Sequence, residues 1–565
     1  MCFVSKYTRW LAWFCATAAL SSVASADSPR LTQEDVRKVV EQAATEARNR
    51  GYQAVIAVAD REGFLLALWD TGSRLPDQLP AFSLTNNSVL RLYGIAAGAA
   101  TRAGTAAFLS SNENAFTSRT AGFIIQQHFP PGVRNTPPGP LVGVGFSNLF
   151  FSDVNRLKLV LPGFDGSALV SPTVSPGARA PALIPCSLND SPGGVPLYKG
   201  GHLVGGVGVT GDGSPTNLAP AAAILLKETQ KDATTGFKSS GDTDELVALA
   251  GQTGFRPDSG IVATNVLIAG IRVPYVGVRV EDIQDLDSPR DLSELGHPVS
   301  VPDPTGGGLV SAGNPKASPD FYPYERRELG GFEGEVRFVL RGDPLASTPG
   351  RERILGQDRL TRGDVETILG DAAARARITR AGIRLPVGTP AKVFITVVNN
   401  PNKAGEKPEI LGVFRTGEAT MFSWDVSAQK ARTALFFSNR QLAMSSRSVG
   451  FLAQRYFPPG LDGKPYGPYF GFQEAVTLRQ APSGGFPGNM NVPNGITIFP
   501  GGFPIYRNGV LIGAVGVSGD GIDQDDIIAS SGTESFLAPR RIRADQYTYR
   551  GARLPYVKFP RDPVR

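Results

Sequence analysis

Histidine is the side chain that most often ligates transition metals in proteins, and the chain contains three, His128, His202 and His297. His128 follows the apolar residues 123–125 and precedes a Phe-Pro-Pro sequence, which makes it the candidate metal ligand. The alternative is a capping histidine or a histidine on the surface. His202 stands beside a Gly-Gly sequence typical of a hairpin turn, where it should be exposed.

Basic residues recur at matching places in two similar parts of the chain. They form three pairs: Arg102 with Lys430, Arg119 with Arg447, and Arg272 with Arg553. The arginine fork donates two parallel hydrogen bonds and suits carboxylates and phosphates. We therefore treat Arg102, Arg119, Lys430 and Arg447 as candidate ligand-binding residues. The alternative is that these side chains terminate helices or form ion pairs within the protein.

The histidines are not repeated in the two parts of the chain. Tyr456 stands where His128 would recur, and Val510 stands where His202 would recur. A metal site duplicated with the fold should keep its ligands, so a shared histidine-ligated centre is disfavoured, and so is a duplicated Ser–His–Asp triad. Tyr456 remains a candidate ligand-binding residue through its phenolate, and the alternative is a packed aromatic ring.

Two further motifs do not support the chemistry that they suggest. Gly206, Gly208 and Gly211 match the Gly-x-Gly-x-x-Gly pattern of dinucleotide sites, but the second copy has Ala514 at the first position. We predict instead that these glycines allow close packing against a helix. An acidic cluster in residues 520–526 does not follow the spacing of a calcium loop, and its Asp523 is predicted to be the N-cap of the last helix.

Self-comparison shows a tandem duplication. Nine of fifteen residues are identical between 118–132 and 446–460, and thirteen of twenty-one between 193–213 and 501–521. We divide the chain into a signal peptide (1–26), a first repeat (27–297), a Pro/Gly-rich linker (298–358) and a second repeat (359–565). The two repeats are expected to pack side by side as a pseudo-dimer.

Each repeat has the pattern of a mixed helix and strand domain. Thr32 and Thr361 begin helices of 3.6-residue periodicity, and each has an aspartate three residues later. Two apolar strands, an alanine-rich helix near 102–109 or 430–437, and a hairpin follow. The hairpin turns are Gly200-Gly201 and Asn508-Gly509, and both suit a type I′ turn. The fold class is therefore α+β, with short antiparallel strands and helices on the faces of the sheet.

The first 26 residues are typical of an export signal. Lys6 and Arg9 precede an apolar run at 10–20, and Ala24-Ser-Ala26 resembles a cleavage site, so we expect a mature protein that begins at Asp27 and is periplasmic or extracellular. Cys186 is then the remaining cysteine, and no internal disulfide is possible. No later segment is long and apolar enough to predict a membrane span. The net charge is +6, but the sequence contains no run of basic residues, so we do not expect a nucleic-acid partner.

Several of these motifs resemble the haem-binding HbpS/GlcG-like family. They are the sequence Ser-Ala-Gln-Lys-Ala-Arg-Thr-Ala at 427–434, the Gly-Gly-x-Pro hairpin that ends at Gly519, and Ile-Ala-Val-x-Asp-x-x-Gly at 56–63. The resemblance implies a profilin-like domain in each repeat, an antiparallel sheet flanked by helices. It also implies oligomers, and noncovalent binding of haem or related tetrapyrroles in some members.

With this resemblance, His128 becomes the candidate axial ligand of haem, and the paired cations become partners for its propionates. The favoured interpretation is an exported binding protein for haem or another flat anionic ligand, with catalysis not established. One alternative is an enzyme that acts on haem or a small organic acid. The other is an interaction module whose pocket is vestigial.

Overall fold

The computed structural model describes residues 29–80, 86–126, 128–142, 189–211, 242–284, 291–302, 309–311, 315–318, 324–338, 340–386, 388–472 and 495–558. The predicted signal peptide and Cys186 lie outside the described residues. The described part of the chain is α+β, as the sequence predicts, with helices packed on antiparallel sheets. None of its helices has both the length and the apolar character needed to cross a bilayer.

The first copy contains a five-stranded sheet with the strand order β3-β4-β1-β2-β7. Its strands are β1 (Val55–Asp60), β2 (Leu65–Asp70), β3 (Gly194–Lys199), β4 (His202–Thr210) and β7 (His297–Pro298). Its helices are α1 (Gln33–Asn49), α2 (Asn87–Leu109), α3 (Ser118–Ile124) and α4 (Asp242–Gly251). Short strands are β5 (Leu267–Ile268), β6 (Ile271–Arg272), β8 (Val301–Pro302) and β9 (Leu309–Ser311).

The second copy contains a six-stranded sheet with the order β16-β17-β14-β15-β11-β10. Its strands are β10 (Glu325–Leu329), β11 (Phe332–Phe338), β14 (Phe394–Asn399), β15 (Ile410–Thr416), β16 (Gly502–Arg507) and β17 (Val510–Ser518). Its helices are α5 (Arg362–Ile378), α6 (Phe422–Phe436), α7 (Ser446–Leu452) and α8 (Ile522–Ser531). Short strands are β12 (Arg353–Ile354), β13 (Gln357–Asp358), β18 (Thr548–Tyr549) and β19 (Ala552–Arg553).

The four strands that correspond between the two sheets follow the same order, and their registers agree. Val55 pairs with Thr210 and with Asp70 in the first copy, as Phe394 pairs with Ser518 and with Arg415 in the second. The range 298–358 that we assigned to a linker contributes β10 and β11, which extend the second sheet beyond β15. The expected equivalence of the two copies therefore holds for the described core of each sheet.

Local sequence signals explain how each copy begins. The Thr32 side chain accepts a hydrogen bond from the backbone N–H of Asp35, whose carboxylate accepts one from the backbone N–H of Thr32, and Thr361 and Asp364 repeat this capping box in the second copy. The hairpin turns have positive φ at Gly200 and Gly201 and at Asn508 and Gly509, as a type I′ turn requires. These features confirm the predicted helix starts and turns.

Gly208 and Gly516, which occupy equivalent positions in the two hairpins, are packing residues. A Cβ atom added to Gly208 would lie 2.2 Å from the carbonyl oxygen of Ala99 in α2, and one added to Gly516 would lie 1.9 Å from that of Ser427 in α6. The helix and the strand therefore approach so closely that only glycine fits, as the sequence predicted. The prediction that Asp523 is an N-cap is wrong: Gly521 holds that position, and Asp523 lies in the first turn of α8, where its carboxylate pairs with Arg447.

Candidate functional site

The first predicted pair of cations forms buried ion pairs at equivalent places in the two copies. Arg102 Nη1 lies 2.7 Å from Asp244 Oδ2, and Lys430 Nζ lies 2.8 Å from Asp525 Oδ2. Each cation also donates to the backbone carbonyl of the adjacent strand, at Val209 or at Val517. The alanine-rich helix packs on the sheet, and these side chains extend from it to the strands and are buried there.

Burial sets the electrostatics of the Lys430–Asp525 pair. Loss of water raises the pKa of Asp525 to about 6, even though Lys430 opposes the rise. The same loss of water lowers the pKa of Lys430, and Asp525 only partly offsets the effect. The charges of this pair therefore stabilise each other and are not presented to a ligand.

The second predicted pair is equally engaged within the protein. Arg119 Nε and Nη2 each lie 2.9 Å from one of the two carboxylate oxygens of Glu245. Arg447 Nε lies 2.8 Å from Asp526 Oδ2, and its Nη2 lies 2.6 Å from Asp523 Oδ1. The four cations thus match the alternative that the sequence left open, which was ion pairing within the protein.

The third pair of cations lies on short hairpins at the surface. Arg272 donates to the carbonyl of Thr264, and Arg553 Nε donates to the carbonyl of Asp545 across 2.6 Å. Both side chains hold a neighbouring turn by the same type of contact. Their recurrence in the two copies follows from this shared local structure.

His128 lies where the two copies meet and is largely buried. Its Nδ1 is 2.8 Å from the carbonyl oxygen of Thr136, and its Nε2 is 2.8 Å from Asp462 Oδ1 of the second copy. Both ring nitrogens of His128 thus face oxygen atoms of the protein. A bond from His128 to iron would require the ring to leave one of these contacts.

Tyr456, the counterpart of His128, stacks on the His128 ring with centroids 6.0 Å apart and planes 13° apart. The guanidinium of Arg455 lies 5.7 Å from the centre of the Tyr456 ring. Asp462 also binds Arg134 Nε at 3.1 Å, and Arg134 is its counterpart in the first copy. The structure therefore brings His128 and Tyr456 together as parts of a junction between the copies.

The other two histidines are apart from this junction. His202 is exposed at its hairpin, as predicted. His297 Nε2 lies 3.1 Å from the carbonyl oxygen of Leu75 and 3.5 Å from Asp77 Oδ1. Within the described ranges, no group of three or more His, Cys, Asp or Glu side chains is arranged to hold a metal ion.

A groove in the second copy was not predicted from the sequence. It has a volume of about 730 Å³ and lies between the β14–β15 loop, the end of α6 and the start of β17. Its floor and walls include the apolar side chains Leu435, Phe436, Val510 and Leu511. We call this feature the second-copy groove.

Two exposed cations line the second-copy groove. Lys403 stands in the loop 400–406 and Arg440 in the turn after α6, and neither has an ion-pair partner within the described part of the chain. Glu406 also lines the groove, but its carboxylate is bound by the guanidinium of Arg351 at 2.5 Å and 2.8 Å, which holds its pKa below the usual range. The groove therefore combines an apolar floor with cations that are available at its rim.

The sequence contained one signal for this groove. The loop between β14 and β15 is longer in the second copy than the turn that joins β1 and β2 in the first. Lys403 and Arg440 lie outside the segments that are most similar between the copies, so they are not among the cations that recur in both.

Part of the second copy matches a known protein family. Residues 389–534 match the family model described as "Haem degrading protein HbpS-like". An uncharacterized 15.0 kDa protein from the dhaT-dhaS intergenic region of Citrobacter freundii is 49 % identical over 41 residues, which are 7 % of this chain and 29 % of that protein. The chain thus matches less than a third of the length of that relative.

Three solved structures resemble part of the chain. The PduOC:haem complex is 18 % identical and covers 32 % of this chain and 97 % of its own, with a TM-score of 0.22. Protein ORFY of Klebsiella pneumoniae is 21 % identical, with 36 % and 95 % covered and a TM-score of 0.21. A double mutant of Streptomyces reticuli HbpS is 18 % identical, with 34 % and 96 % covered and a TM-score of 0.20. The resemblance inferred from sequence is confirmed by the family match over residues 389–534.

Proposed function

We propose that the protein binds haem or a related flat anionic ligand, noncovalently, in the second-copy groove. The observation that carries this proposal is the match of residues 389–534 to the HbpS-like haem-degrading family. That range contains Lys403, Arg440 and the apolar residues of α6 and β17 that line the groove. The family match and the longer β14–β15 loop of the second copy thus coincide in one place.

The shape and charge of the groove support this ligand class. A volume of about 730 Å³ lies within the range of about 300–1,000 Å³ that is common for small-molecule sites. The apolar side chains Leu435, Val510 and Leu511 suit the face of a macrocycle, and Lys403 and Arg440 suit the carboxylates at its edge. The four cations of the buried ion pairs are not needed for this binding mode.

The groove lining does not supply an iron ligand of a usual type. Among the described residues that line it, none is histidine, cysteine, methionine or tyrosine. The residues present thus fit the carboxylates and the apolar face of haem, whereas the iron would receive no bond from these side chains. We therefore expect an iron-free porphyrin to bind about as well as haemin.

Titration of the mature protein with haemin and with protoporphyrin IX tests this proposal. Lys403→Ala and Arg440→Ala should each weaken binding of both ligands, because loss of one charged hydrogen bond costs about 1.5–3 kcal/mol. Lys464→Ala and Arg541→Ala are matched controls, since both side chains are exposed and lie outside the groove lining.

Two results would contradict the proposal. One is the absence of binding to either porphyrin. The other is binding that Lys403→Ala and Arg440→Ala leave unchanged. A small dicarboxylate that displaces the porphyrin would instead favour the alternative of an organic-acid ligand, because the same two cations would hold it.

Export of the protein is a separate proposal that rests on residues 1–26 alone. We propose that the mature chain begins at Asp27 and functions in the periplasm or outside the cell. N-terminal sequencing of the protein from its native host tests this, and retention of residues 10–20 would contradict it.

A further inference from the structure

One wall of the second-copy groove comes from the segment that precedes α5. Ile354 and Leu355, in the hairpin formed by β12 and β13, line the groove together with the β14–β15 loop. This hairpin lies before residues 389–534, which are the range matched by the family model. The wall is therefore a feature of this chain that the family match does not include.

Side chains on either side of the hairpin attach it to the β14–β15 loop. Arg351 Nη2 donates to the carbonyl of Pro401 at 2.7 Å. The buried Arg359 donates through Nη1 to the carbonyl of Asn400, also at 2.7 Å. Because both flanks are fixed in this way, the surrounding structure determines where the tip of the hairpin lies.

The tip of the hairpin is a turn with an unfavourable residue at its first position. Leu355 has a φ of 47° and Gly356 a φ of 81°, as a type I′ turn requires. A leucine at positive φ brings its Cβ close to the following carbonyl oxygen, whereas asparagine is tolerated there, as at Asn508 in the β16–β17 turn. The backbone at Leu355 is therefore strained, and strain of this kind is typical of ligand-binding sites.

Packing within the protein does not account for a leucine at this turn. The Leu355 side chain is 59 % exposed, so it contributes little to the core. Phe436, at the end of α6, lines the same groove and is 43 % exposed. Two large apolar side chains thus face solvent at the rim of one groove, where a ligand can cover them.

The equivalent of Phe436 is covered in the first copy. Phe436 corresponds to Phe108, since Tyr506 and Tyr198 donate to equivalent backbone carbonyls in the turns that follow these two residues. Phe108 is 1 % exposed, and the hydroxyl of Thr420 from the second copy donates to its carbonyl. The exposed phenylalanine is therefore a feature of the second copy.

We propose that Leu355 selects the class of ligand bound in the second-copy groove, which is a large amphipathic anion and not a small organic acid. Lys403 and Arg440 offer the same charges to the carboxylates of either ligand. Leu355 and Phe436 distinguish the two, because their apolar surface is removed from water only by a ligand that has an apolar face of its own. This inference rests on the proposed function, because it concerns the same groove.

Leu355→Asn is the variant that separates a role in ligand contact from a role in the fold. Asparagine tolerates positive φ, so the ligand-free variant should need as much urea to unfold as the wild type, or more. The loss of the apolar side chain should raise the dissociation constant for protoporphyrin IX about tenfold. Leu355→Met keeps an apolar side chain of similar size and should bind protoporphyrin IX nearly as tightly as the wild type.

Ala269→Asn is the matched control. Ala269 has a φ of 50° in the turn of the hairpin formed by β5 and β6, which belongs to the first copy. It lies outside the lining of the groove. Ala269→Asn should therefore change the stability in the same direction as Leu355→Asn and leave the affinity for protoporphyrin IX unchanged.

Succinate, as a small dicarboxylate, measures the selection between the two ligand classes. The wild type should bind protoporphyrin IX more tightly than succinate, and Leu355→Asn should reduce that preference about tenfold. The affinity for succinate itself should not change, because succinate has no apolar face that could cover the leucine.

Two results would overturn the inference and leave the proposed function standing. One is porphyrin binding that Lys403→Ala and Arg440→Ala weaken but Leu355→Asn does not. The other is a ligand-free Leu355→Asn protein that is less stable than the wild type, which would show that Leu355 packs within the fold. A wild type that binds neither haemin nor protoporphyrin IX contradicts the proposed function itself, so the two failures are distinguishable.

Discussion

His128 and Tyr456 occupy equivalent positions in the two copies and stack on each other, with ring centroids 6.0 Å apart. Arg134 and Asp462 are also equivalent, and they form an ion pair at 3.1 Å. Two identical repeats would place like residues together at these points, where two arginines or two aspartates repel. Because the copies have diverged at these positions, contact between a first repeat and a second repeat is more favourable than contact between two identical repeats.

The first prediction concerns His128. His128→Ala removes the contact of Nδ1 with the Thr136 carbonyl oxygen and the close approach of Nε2 to the Asp462 carboxylate, which then lacks one neighbour at the junction. We expect a loss of stability of about 1–3 kcal/mol, measured by urea unfolding, and no change in the Soret band of bound haem. A shifted Soret band with unchanged stability would show that His128 ligates iron instead.

The second prediction is that Arg102 stabilises the fold and does not bind the ligand. Arg102→Ala leaves Asp244 as a buried charge without this partner and should cost about 3–5 kcal/mol of stability. Arg102→Lys should restore most of it, because Lys430 makes the same contacts with Asp525 and Val517 in the second copy. Unfolding curves measure both, and a fully stable Arg102→Ala protein would contradict the structural role.

The third prediction is a pH dependence. Burial raises the pKa of Asp520 from 3.8 to about 7, although Arg384 and backbone N–H groups oppose the rise. Because the folded state then holds the proton more tightly than the unfolded state, the stabilising contribution is present below the unfolded pKa and is lost as pH rises through about 7.

Asp520→Asn provides the measurement of this effect. The stability of the wild type relative to Asp520→Asn should fall between about pH 5 and about pH 8, since the amide does not titrate in that range. Urea unfolding of both proteins at the two pH values gives the difference. A difference that is constant or that grows with pH would disagree with the prediction.

The fourth prediction concerns the packing glycines. Gly516→Ala should destabilise the second copy strongly, because the new Cβ would lie 1.9 Å from a carbonyl oxygen of α6 and neither backbone can move away easily. Gly363→Ala is the control: the site is open, with the nearest atom at 3.8 Å, and alanine in a helix should stabilise by up to about 1 kcal/mol. Thermal melts of the two variants should therefore move in opposite directions.

The fifth prediction concerns stoichiometry. The counterpart of the groove in the first copy is covered by the second copy, where Ser110 and Ser111 are fully buried. Porphyrin titration should therefore saturate at one ligand per chain. Saturation at two ligands per chain would show that the first copy has a site of its own.

Much of the fold followed from the sequence because its signals are local. The capping boxes at Thr32 and Thr361 and the Gly-Gly and Asn-Gly turns depend on residues a few positions apart, so their chemistry is readable without the fold. The duplication also predicted that the central strands of both sheets share one order. Asp523 was misassigned because its carboxylate is engaged by Arg447, a distant residue.

The candidate site depended on tertiary structure. The sequence identified Arg102, Arg119, Lys430 and Arg447 as repeated cations, but only the fold placed Asp244, Glu245, Asp525 and Asp526 beside them. The sequence alone determined that the two repeats share a fold and differ at His128 and Tyr456. The tertiary structure decided which repeat keeps an open surface, because the packing of one copy on the other buries Phe108 and leaves Phe436 exposed.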